Sequence, residues 1–586
     1  MQEKWLDWLK ESRLDDSLHS ELQRLIDQDE RQELEERFAS ELHFGTGGLR
    51  AKMGVGTNRM NIYTVGKATA GVVGWIKSVM STSESQSVAG SFKIVIGYDG
   101  RRDSDVFARR VAAVANAMGV TAYVFAAARP TPLLSFAVRQ LSANGGIMVT
   151  ASHNPPEYNG YKVYGADGGQ LLPDDAEIVT EKMREIKDMF DLPAMDIDKA
   201  TEQGLYRVVQ GDVEQAYFGH LSALYRPQEG AGVRHDTVIV YTPLHGTGAS
   251  LVPRALNEAG FAKVHMVAAQ ASLDSEFTNV LSPNPEEPTA YNLAIEEAKR
   301  VGADVILATD PDADRVGVMA RSQSGEYKLL AGNEVGALIL DNYLAWRKGH
   351  GNLPDHPVMV TTNVTSDFGE VVANEFGVKT ERVLTGFKFI CAKIREYEQA
   401  GDQTFVFGYE ESVGYLALPF VRDKDSVQGA VVIANMVAEL KAKGATLVSR
   451  LEELRQHFGY FSDRLLSYTF PGLSGLEQMQ TLMDDLRKTP LVVPNMTLTA
   501  IDDCLRQTRI DVLQNKELPL DFPESDVLKY LFQGDAWVAV RPSGTEPKLK
   551  VYLGVRGQGE SDATSQLEAL LHAIDGRVRA FMEQEG

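Results

Sequence analysis

Short apolar runs alternate with amphipathic segments along most of this chain. Apolar runs at residues 92–99, 120–125 and 146–149 predict buried strands, and the amphipathic segments 105–118 and 133–143 predict helices between them. A strand, a helix and a second strand at this spacing are typical of a parallel crossover unit. We therefore expect an α/β domain in the first part of the chain.

The same alternation continues to the end of the chain. Further strands are predicted at 237–241, 303–309, 358–361, 536–540 and 548–553, and another begins at Thr404. Further helices are predicted as two over 1–40, one over 61–80, one ending at Gly260, one near 367–376, a largely helical stretch over 426–470, and one from about Ser561. Four prolines between 490 and 523 predict a looser last domain. Four of the strands run into polar loops headed by Ser152, Asp310, Glu410 and Arg541, and ligands of α/β folds bind at the carboxyl ends of strands.

Composition and charge narrow the class of protein. A length of 586 residues predicts about four domains, and 44% hydrophobic with 24% charged residues is typical of a soluble globular protein. The net charge of −22 argues against nucleic-acid binding and requires a locally positive pocket for any anionic substrate. The cysteines are Cys391 and Cys504, so no disulfide framework is expected. The acidic start lacks the features of a signal peptide, and no apolar run approaches membrane-spanning length, so we expect a cytoplasmic protein without a membrane partner.

The loop after the 146–149 strand carries the first candidate chemistry. Pro155 and Pro156 stop regular structure there, so the hydroxyl of Ser152 is expected at a rigid strand exit. His153 is adjacent, and Lys162 follows a predicted turn at residues 158–160. A hydroxyl, an imidazole and an ammonium on one stiff loop suit covalent catalysis. The alternative interpretation is a polar turn with an incidental serine and histidine.

The loop after the 303–309 strand carries the second. Asp310, Asp312 and Asp314 alternate in one turn, and their charges repel unless a cation lies between them. Oxygen ligands alone favour a hard ion such as Mg²⁺. A calcium EF-hand loop is excluded because Arg315 and Arg321 stand where it needs glycine and glutamate. An acidic surface turn is the remaining alternative.

Other loops give weaker signals. The glycines of 45–48 let backbone N–H groups approach an anion, with Arg50 adding charge. The 242–248 segment is either an anion site at a helix start or, as we favour, a tight joint in which His245 is structural. Glu410, Glu411 and Ser412 suit a pair of sugar hydroxyls or a helix cap. The 541–547 segment between two strands predicts a phosphate cradle headed by Arg541.

Together these loops resemble those of the α-D-phosphohexomutases, which move a phosphoryl group between two hydroxyls of one sugar through a phosphoserine. Ser-His-Asn-Pro-Pro at 152–156, Asp-Pro-Asp-Ala-Asp-Arg at 310–315, Glu-Glu-Ser-Val-Gly at 410–414 and Arg-Pro-Ser-Gly-Thr-Glu-Pro at 541–547 appear in the family's order. The resemblance covers about residues 40–560. It implies an α/β fold of three related domains with mixed sheets and a smaller C-terminal α+β domain around a central cleft. The implied domains are 1–205, 206–322, 323–445 and 446–586.

The resemblance also implies roles for particular residues. Ser152 would carry the phosphoryl group, with His153, Lys162 and Arg50 in the catalytic site; we expect burial beside Arg50 to lower the pKa of Lys162 for proton transfer. A serine phosphate oxygen with Asp310, Asp312 and Asp314 would bind Mg²⁺. The substrate-binding residues implied are Thr385, Gly386, Glu410, Ser412, Lys424, Arg541, Ser543, Gly544 and Thr545.

The resemblance therefore predicts an isomerase acting on sugar phosphates, as a monomer or a homodimer. The expected reaction interconverts glucose 1-phosphate and glucose 6-phosphate through glucose 1,6-bisphosphate. Tyr415 stands near where relatives acting on both mannose and glucose carry a histidine, which favours glucose. Pentose or mannose phosphates as substrates are the alternatives within the family. A non-catalytic sugar-phosphate sensor and a simple phosphatase are alternatives of other classes.

Overall fold

The structure is a computed structural model, and it describes residues 4–42, 48–82, 92–226, 231–470, 475–543 and 548–585. The helices within these ranges are α1 (Lys4–Lys10), α2 (Asp16–Asp27), α3 (Arg31–Phe38), α4 (Ile62–Thr82), α5 (Ser104–Ala117), α6 (Thr131–Gln140), α7 (Pro173–Arg184), α8 (Ile197–Glu202), α9 (Gly211–Leu221), α10 (Ala231–Asp236), α11 (Gly248–Glu258), α12 (Asn292–Val301), α13 (Gly332–Gly349), α14 (Phe368–Glu375), α15 (Phe387–Ala400), α16 (Ser426–Ala442), α17 (Leu447–Phe458), α18 (Gly475–Lys488) and α19 (Glu560–Glu585).

The strands in the same ranges are β1 (Leu49–Lys52), β2 (Lys93–Tyr98), β3 (Thr121–Val124), β4 (Gly145–Val149), β5 (Tyr158–Gly165), β6 (Tyr206–Val208), β7 (Val238–Thr242), β8 (Lys263–Met266), β9 (Val305–Thr309), β10 (Val316–Arg321), β11 (Tyr327–Leu330), β12 (Pro357–Thr362), β13 (Lys379–Val383), β14 (Thr404–Glu410), β15 (Gly414–Leu416), β16 (Tyr460–Thr469), β17 (Leu498–Asp503), β18 (Thr508–Asp511), β19 (Lys516–Pro519), β20 (Leu528–Phe532), β21 (Ala536–Pro542) and β22 (Lys548–Gly557).

The chain divides into two compact units. The first runs to Gly332 and resumes over Phe387–Thr446, and the second holds Asn333–Gly386 and the residues from Leu447 onward. The first unit contains a mixed sheet in the order β1-β5-β4-β2-β3-β6 and another in the order β11-β10-β9-β7-β8. Within these sheets β4 lies parallel to β2, and β9 lies parallel to β7. Both β4 and β9 are buried along their whole length, as expected for strands covered by helices on both faces.

The carboxyl ends of β4 and β9 carry the serine and aspartate loops. The pairing of β4 with β2 brings Val149 opposite Tyr98, so residue Asp99 lies beside the exit to Ser152. In the first unit β14 also pairs antiparallel with β15, which sets Glu410 opposite Gly414. The fold therefore delivers three of the predicted polar segments at strand ends within one unit.

The second unit contains a long antiparallel sheet and a parallel strand pair. Its long sheet has the order β16-β22-β21-β20-β17-β18-β19, and neighbouring strands are antiparallel. Helices α18 and α19 contribute Leu482, Leu486, Leu570 and Ile574 to the core on this sheet. Strands β12 and β13 pair in parallel in the same unit.

Several sequence expectations are corrected by these elements. Residues 4–40, the described part of the predicted 1–40 segment, form three helices rather than two, because the chain turns both after Lys10 and after Asp27. Residues 158–160 belong to β5 rather than to a turn, since the turn lies just upstream, where Tyr158 N donates to Pro155 O at 3.1 Å. The predicted helical stretch 426–470 ends as strand β16, whose whole length pairs with β22.

The expected looseness of the last domain is also wrong. Its sheet is continuous from β16 to β19. Pro490 and Pro494 lie in the connection from α18 to β17, and Pro519 ends β19. Proline is tolerated at such positions because no central ladder hydrogen bond is lost there. Of the helices in the described ranges, none is both long and apolar enough to cross a bilayer.

Candidate active site

Ser152 lies in a tight turn directly after β4. Its backbone has φ = 51°, in the left-handed region, and its side chain is buried. Ser152 N donates to Thr150 Oγ1 at 2.9 Å, and that hydroxyl donates to Asp99 Oδ2 at 2.6 Å. A non-glycine residue in this region costs of order 1–3 kcal/mol and persists only where its surroundings impose it. The Asp99–Thr150 pair therefore fixes the conformation from which the serine side chain projects.

Arg101 holds the rest of the serine loop. Its Nη2 donates to the carbonyls of Ser152 at 2.6 Å and Asn154 at 2.5 Å, and its Nη1 donates to those of Pro155 at 2.9 Å and Tyr158 at 3.1 Å. The guanidinium is buried and lies 3.4 Å from Asp99 Oδ2. Four carbonyls bound by one planar, always charged group make the loop rigid, as its two prolines suggested.

The serine hydroxyl reaches the aspartate loop. Ser152 Oγ lies 2.6 Å from Asp310 Oδ2 and 3.1 Å from His153 Nδ1. Thus the serine loop and the aspartate loop, which follow strands of different sheets, are in contact through the Ser152 hydroxyl. Arg50 of β1 joins them indirectly, because its Nη1 donates to Asn154 Oδ1 at 2.9 Å.

The aspartates form a buried cluster. Asp310, Asp312 and Asp314 each offer an oxygen within 4.8 Å of the others, and all three are at most 1% exposed. The loop is shaped by its own backbone, since Asp314 N and Arg315 N donate to Asp310 Oδ1 at 3.2 and 3.0 Å. Ala313 adopts a left-handed φ of 52° in the turn. The acidic surface turn considered from sequence is therefore excluded.

Two oxygens of this cluster point to a cation. Oδ1 of Asp312 and Oδ1 of Asp314 are buried and have no hydrogen-bond partner among the described residues. A buried carboxylate oxygen left without a donor is costly unless a metal or a cation approaches it. The donor set is oxygen only, which fits Mg²⁺ by its chemistry. Such an ion could be held by side-chain oxygens of Asp310, Asp312, Asp314 and Ser152.

Cationic side chains surround the cluster. Lys162 Nζ lies 2.7 Å from Asp312 Oδ2 and 3.2 Å from Asp314 Oδ2, and Lys424 Nζ lies 3.1 Å from Asp314 Oδ2. Thr131, at the start of α6, donates its hydroxyl to Asp312 Oδ2 at 2.8 Å. The two ammonium groups supply positive charge at the site, which a chain of net charge −22 needs for an anionic substrate.

The ionisation of the cluster follows from burial and these charges. Burial and the neighbouring Asp312 and Asp314 carboxylates raise the pKa of Asp310 well above its ordinary value. Burial acts in the same direction on Asp312, but the Lys162 ammonium and hydrogen bonds outweigh it and hold the pKa of Asp312 below its ordinary value. One carboxyl that resists ionisation beside two that favour it is the result expected when three acids share a site.

The expected lowering of the Lys162 pKa is wrong. Burial does act to lower it, but the Asp312 and Asp314 carboxylates dominate and raise the pKa of Lys162 above its ordinary value. Lys162 lies in the middle of β5, where Met148 is its neighbour on β4. The charge that controls Lys162 is thus that of the aspartate loop rather than that of Arg50.

The 410–414 segment joins the same site. Glu410 ends β14 and is buried, and its charge helps to raise the pKa values of both Arg315 and Lys424 above their ordinary range. The carbonyl of Ser412 accepts from Arg315 Nη1 at 3.3 Å, and Val316 N donates to Val413 O at 3.0 Å. The first unit therefore brings together Ser152, His153, Lys162, Arg50, Glu410, Ser412, Lys424 and the aspartate cluster.

The remaining predicted residues belong to the second unit. Thr385 Oγ1 is buried without a hydrogen-bond partner in the described part of the chain, and Gly386 has φ = 126°. Arg541 lies inside β21, paired with Lys550, rather than in the loop where we expected it. Ser543 N donates to Lys548 O at 2.7 Å. Gly544 and Thr545 lie outside the described residues, as do residues 45–47 of the first glycine loop.

Some residues of the site were missed from sequence. Asp99 ends the predicted 92–99 strand, and a polar residue at the carboxyl end of a strand is a signal for a site residue. The same signal covers Arg101, two residues later. Thr131 gave no signal, because a threonine at a helix start is common. The 242–248 turn supports the aspartate loop, with Thr247 N and Oγ1 both donating to Pro311 O, and His245 Nδ1 contacts Ser272 O at 2.9 Å. These contacts support the structural interpretation of His245.

Models of known protein families match this architecture in order. The phosphoglucomutase/phosphomannomutase α/β/α domains I, II and III match residues 41–189, 215–324 and 331–457, and the C-terminal domain of the same family matches residues 493–571. The chain belongs to the phosphoglucomutase/phosphomannomutase family. The predicted fold class of three related α/β domains and a C-terminal domain is thereby confirmed, and so is the assignment to the phosphohexomutase enzymes. The precise domain limits and the central cleft stay predictions.

Individual relatives agree with the family. A phosphoglucomutase of Staphylococcus epidermidis (strain ATCC 12228) is 36% identical over 95% of this chain and 96% of its own length. A phosphoglucomutase of Staphylococcus haemolyticus is 37% identical over 89% of this chain and 91% of its own. The crystal structure of pp63/parafusin, a phosphoglucomutase of Paramecium, shares the fold with a TM-score of 0.64 at 18% identity, over 93% of this chain and 96% of its own.

Proposed function

We propose that this family member interconverts glucose 1-phosphate and glucose 6-phosphate through a phosphorylated Ser152. The observation that carries the proposal is the 2.6 Å approach of Ser152 Oγ to Asp310 within a buried acidic cluster. The names of the full-length relatives at 36% and 37% identity support glucose as the sugar. A cytoplasmic enzyme, active as a monomer or a homodimer, is part of the same proposal.

The proposed reaction has two phosphoryl transfers. In the first, the bond from phosphorus to Ser152 Oγ breaks while a bond to the O6 hydroxyl of glucose 1-phosphate forms, and the hydroxyl proton leaves to a base. The product is glucose 1,6-bisphosphate, which turns over in the site. In the second, the bond from phosphorus to sugar O1 breaks, the phosphoryl group returns to Ser152 Oγ, and O1 takes a proton. Glucose 6-phosphate then leaves.

The residues of the first unit serve this chemistry by position and charge, which dominate phosphoryl transfer. Mg²⁺ bound by the aspartate cluster would neutralise charge on the transferred group. Lys162, whose ammonium Asp312 holds in place, is the proposed donor of the proton that sugar O1 takes in the second transfer. His153 Nδ1 orients the Ser152 oxygen from 3.1 Å, and Arg50 acts through Asn154.

Sugar and phosphate recognition use the other predicted residues. Glu410 and Ser412 would bind adjacent sugar hydroxyls, and Lys424 would bind a negatively charged part of the substrate. Thr385, whose buried hydroxyl has no partner among the described residues, and Gly386 would contribute further contacts. Arg541, Ser543, Gly544 and Thr545 would hold the phosphate that is not reacting. A cradle separate from the metal site lets the bisphosphate reorient without release.

Two measurements test the proposal. Coupled assays would compare glucose, mannose and ribose 1-phosphates, and glucose should give the highest kcat/KM; dominance of ribose or mannose would overturn the choice of sugar. Intact mass should show an adduct of ~80 Da that is lost in Ser152→Ala and kept in the control Ser222→Ala. Absence of the adduct after incubation with glucose 1,6-bisphosphate would favour a sensor. Release of inorganic phosphate at each turnover would indicate a phosphatase.

A further inference from the structure

The N-terminal helices precede the part of the chain that the first family domain matches, which begins at residue 41. Their apolar residues Trp8, Leu22, Leu25, Leu34 and Phe38 form one buried cluster with Val55 and Tyr63. Val55 lies in the loop of residues 53–61 that follows β1, and Tyr63 is the second residue of α4, the helix after it. The N-terminal helices are therefore built onto this loop, which we call the 53–61 loop.

A partly buried ion-pair network fastens the helices to the loop. Arg37 of α3 donates to Glu21 Oε1 of α2 at 2.7 Å and to the carbonyl of Val55 at 3.3 Å. Glu21 Oε2 in turn accepts from Val55 N at 2.9 Å. The Arg37 side chain is 11% exposed, and its Nε also donates to Glu33 Oε1 of α3 at 2.8 Å, so two carboxylates hold the guanidinium. One arginine–glutamate pair thus satisfies both backbone groups of Val55.

The loop is shaped to accept Arg37. Gly54 and Gly56 have φ values of 131° and 132°, which favour glycine. A Cβ added at Gly54 would lie 2.8 Å from Arg37 Nη1, and one at Gly56 would lie 2.6 Å from Arg37 O. Asn58 N also donates to Arg37 O at 2.9 Å. The backbone on both sides of Val55 therefore packs closely against Arg37.

The other end of the loop reaches the serine loop. Met53 N donates to Glu157 O at 2.8 Å, and β1 continues the contact by pairing Lys52 with Tyr158. Arg50 of the same strand contacts Asn154, two residues after Ser152. A continuous path of short contacts therefore runs from Arg37 through the 53–61 loop and β1 to the loop that carries the nucleophile.

We propose that helices α1–α3 act as a brace for the active-serine loop, with Arg37 and Glu21 as positioning residues that set Arg50 and the 154–157 backbone relative to Ser152. The proposal rests on the proposed mutase function for its effect on turnover. Its physical basis is that phosphoryl transfer depends on alignment, so small displacements of the serine loop reduce the rate. Arg37 and Glu21 touch neither the aspartate cluster nor Ser152 in any contact described above.

A double-mutant cycle separates positioning from a general structural role. Arg37→Met should lower kcat about tenfold with a smaller change in KM, and Arg50→Met should lower it further. If Arg37 acts through Arg50, the double variant should lie within about twofold of Arg50→Met alone, whereas independent effects would multiply. Arg13→Met is the matched control. Arg13 also belongs to the N-terminal segment, but its side chain pairs with Glu11 and Asp188 rather than with the 53–61 loop. It should change kcat less than about twofold.

A second readout needs no turnover. Hydrogen exchange of the 150–160 backbone amides should be faster in Arg37→Met than in the wild type and unchanged in Arg13→Met. Glu21→Gln, which keeps the side-chain size, serves if Arg37→Met does not fold, and Arg37→Lys should restore part of the rate. An inactive wild type would refute the proposed function and leave the exchange result to decide the brace. Unchanged exchange, or effects of Arg37→Met and Arg50→Met that multiply, would overturn the brace.

Discussion

Ser152 Oγ and Asp310 Oδ2 lie 2.6 Å apart although 158 positions separate the two residues in the chain. The contact joins the carboxyl end of β4 in one sheet to the carboxyl end of β9 in another. Ser152, the proposed nucleophile, therefore lies against the Asp310 carboxyl group. Burial and two neighbouring carboxylates raise the pKa of this group. The relationship makes the acidic cluster and the serine parts of one site.

Asp310→Asn tests whether the cluster binds a divalent cation. The substitution keeps an oxygen that can accept from Ser152 but removes the negative charge that Asp310 would present to a bound cation, so Mg²⁺ should bind more weakly. We expect kcat/KM to fall at least about 100-fold. The increase in Tm on adding Mg²⁺ should shrink as well, since a ligand stabilises the state that binds it.

The control for that variant is Asp198→Asn, at an exposed position in α8. It should keep both the activity and the Mg²⁺-dependent increase in Tm. An Asp310→Asn protein that is stabilised by Mg²⁺ as much as the wild type would contradict the assignment of Asp310 as a ligand.

Arg101→Lys tests the rigidity of the serine loop. Lysine keeps the charge, but its single ammonium cannot serve the four carbonyls that Arg101 binds. We expect kcat to fall about 10- to 100-fold, with a lower Tm, because the loop loses its fixed conformation. Steady-state kinetics and thermal unfolding measure the two effects. Arg102→Lys is the matched control, since the adjacent Arg102 is exposed and pairs with Glu276; equal losses in both variants would argue against a special role for Arg101.

Gly414→Ala tests the placement of Lys424. A Cβ at Gly414 would lie 2.3 Å from Lys424 Cδ, so the lysine side chain must shift from its present position, where its Nζ is 3.1 Å from Asp314. Overpacking of this kind costs about 1–3 kcal/mol of folding stability, and the displaced ammonium should raise KM for the sugar phosphate. Kinetics and urea unfolding measure both. Gly219→Ala in α9 has open space around its Cβ and should be neutral or slightly stabilising. A Gly414→Ala enzyme with unchanged KM would show that Lys424 does not contact substrate.

Lys529→Met tests a buried charge in the second unit. Burial, helped by the Arg382 guanidinium, lowers the pKa of Lys529 from 10.5 to about 8, and its Nζ donates to Asn363 O at 2.7 Å. The folded state binds the Lys529 proton less tightly than the unfolded state does. Below pH 8 the buried ammonium therefore lowers the free energy of unfolding. The penalty is relieved as the pH rises from about 8 to 10.5, because the unfolded chain then binds more protons than the folded one.

The wild type should therefore gain stability relative to Lys529→Met over that pH window, by about 3 kcal/mol in total. Urea unfolding of both proteins at several pH values measures the difference. Lys516→Met, at an exposed position in β19, should show no such pH dependence. A constant difference between wild type and Lys529→Met from pH 7 to 10 would mean that Lys529 titrates normally.

The sequence was most informative where a local pattern implies its own chemistry. The proline pair after β4 predicted a rigid loop, and the alternating aspartates at 310–314 predicted an acidic cluster able to hold a cation, since neighbouring charges in one turn need no distant partner to be recognised. It failed where the outcome depends on pairing across the sheet. The 158–160 segment has turn composition, yet it forms the start of β5. Strand β1 pairs with all three residues, and Thr150 N, just after β4, donates to Gly160 O at 3.1 Å.

The sequence by itself determined the buried apolar strands such as β4 and β9, the polar segments that follow them and the residue types of the site, because apolar periodicity and turn chemistry act over a few residues. The tertiary structure decided which of these meet. Arg101 binds the carbonyls of the serine loop, the Asp312 carboxylate raises the pKa of Lys162, and Arg37 contacts the 53–61 loop. Each depends on contacts between segments remote in sequence, and the charge and burial that govern a side chain exist only once those segments have packed together.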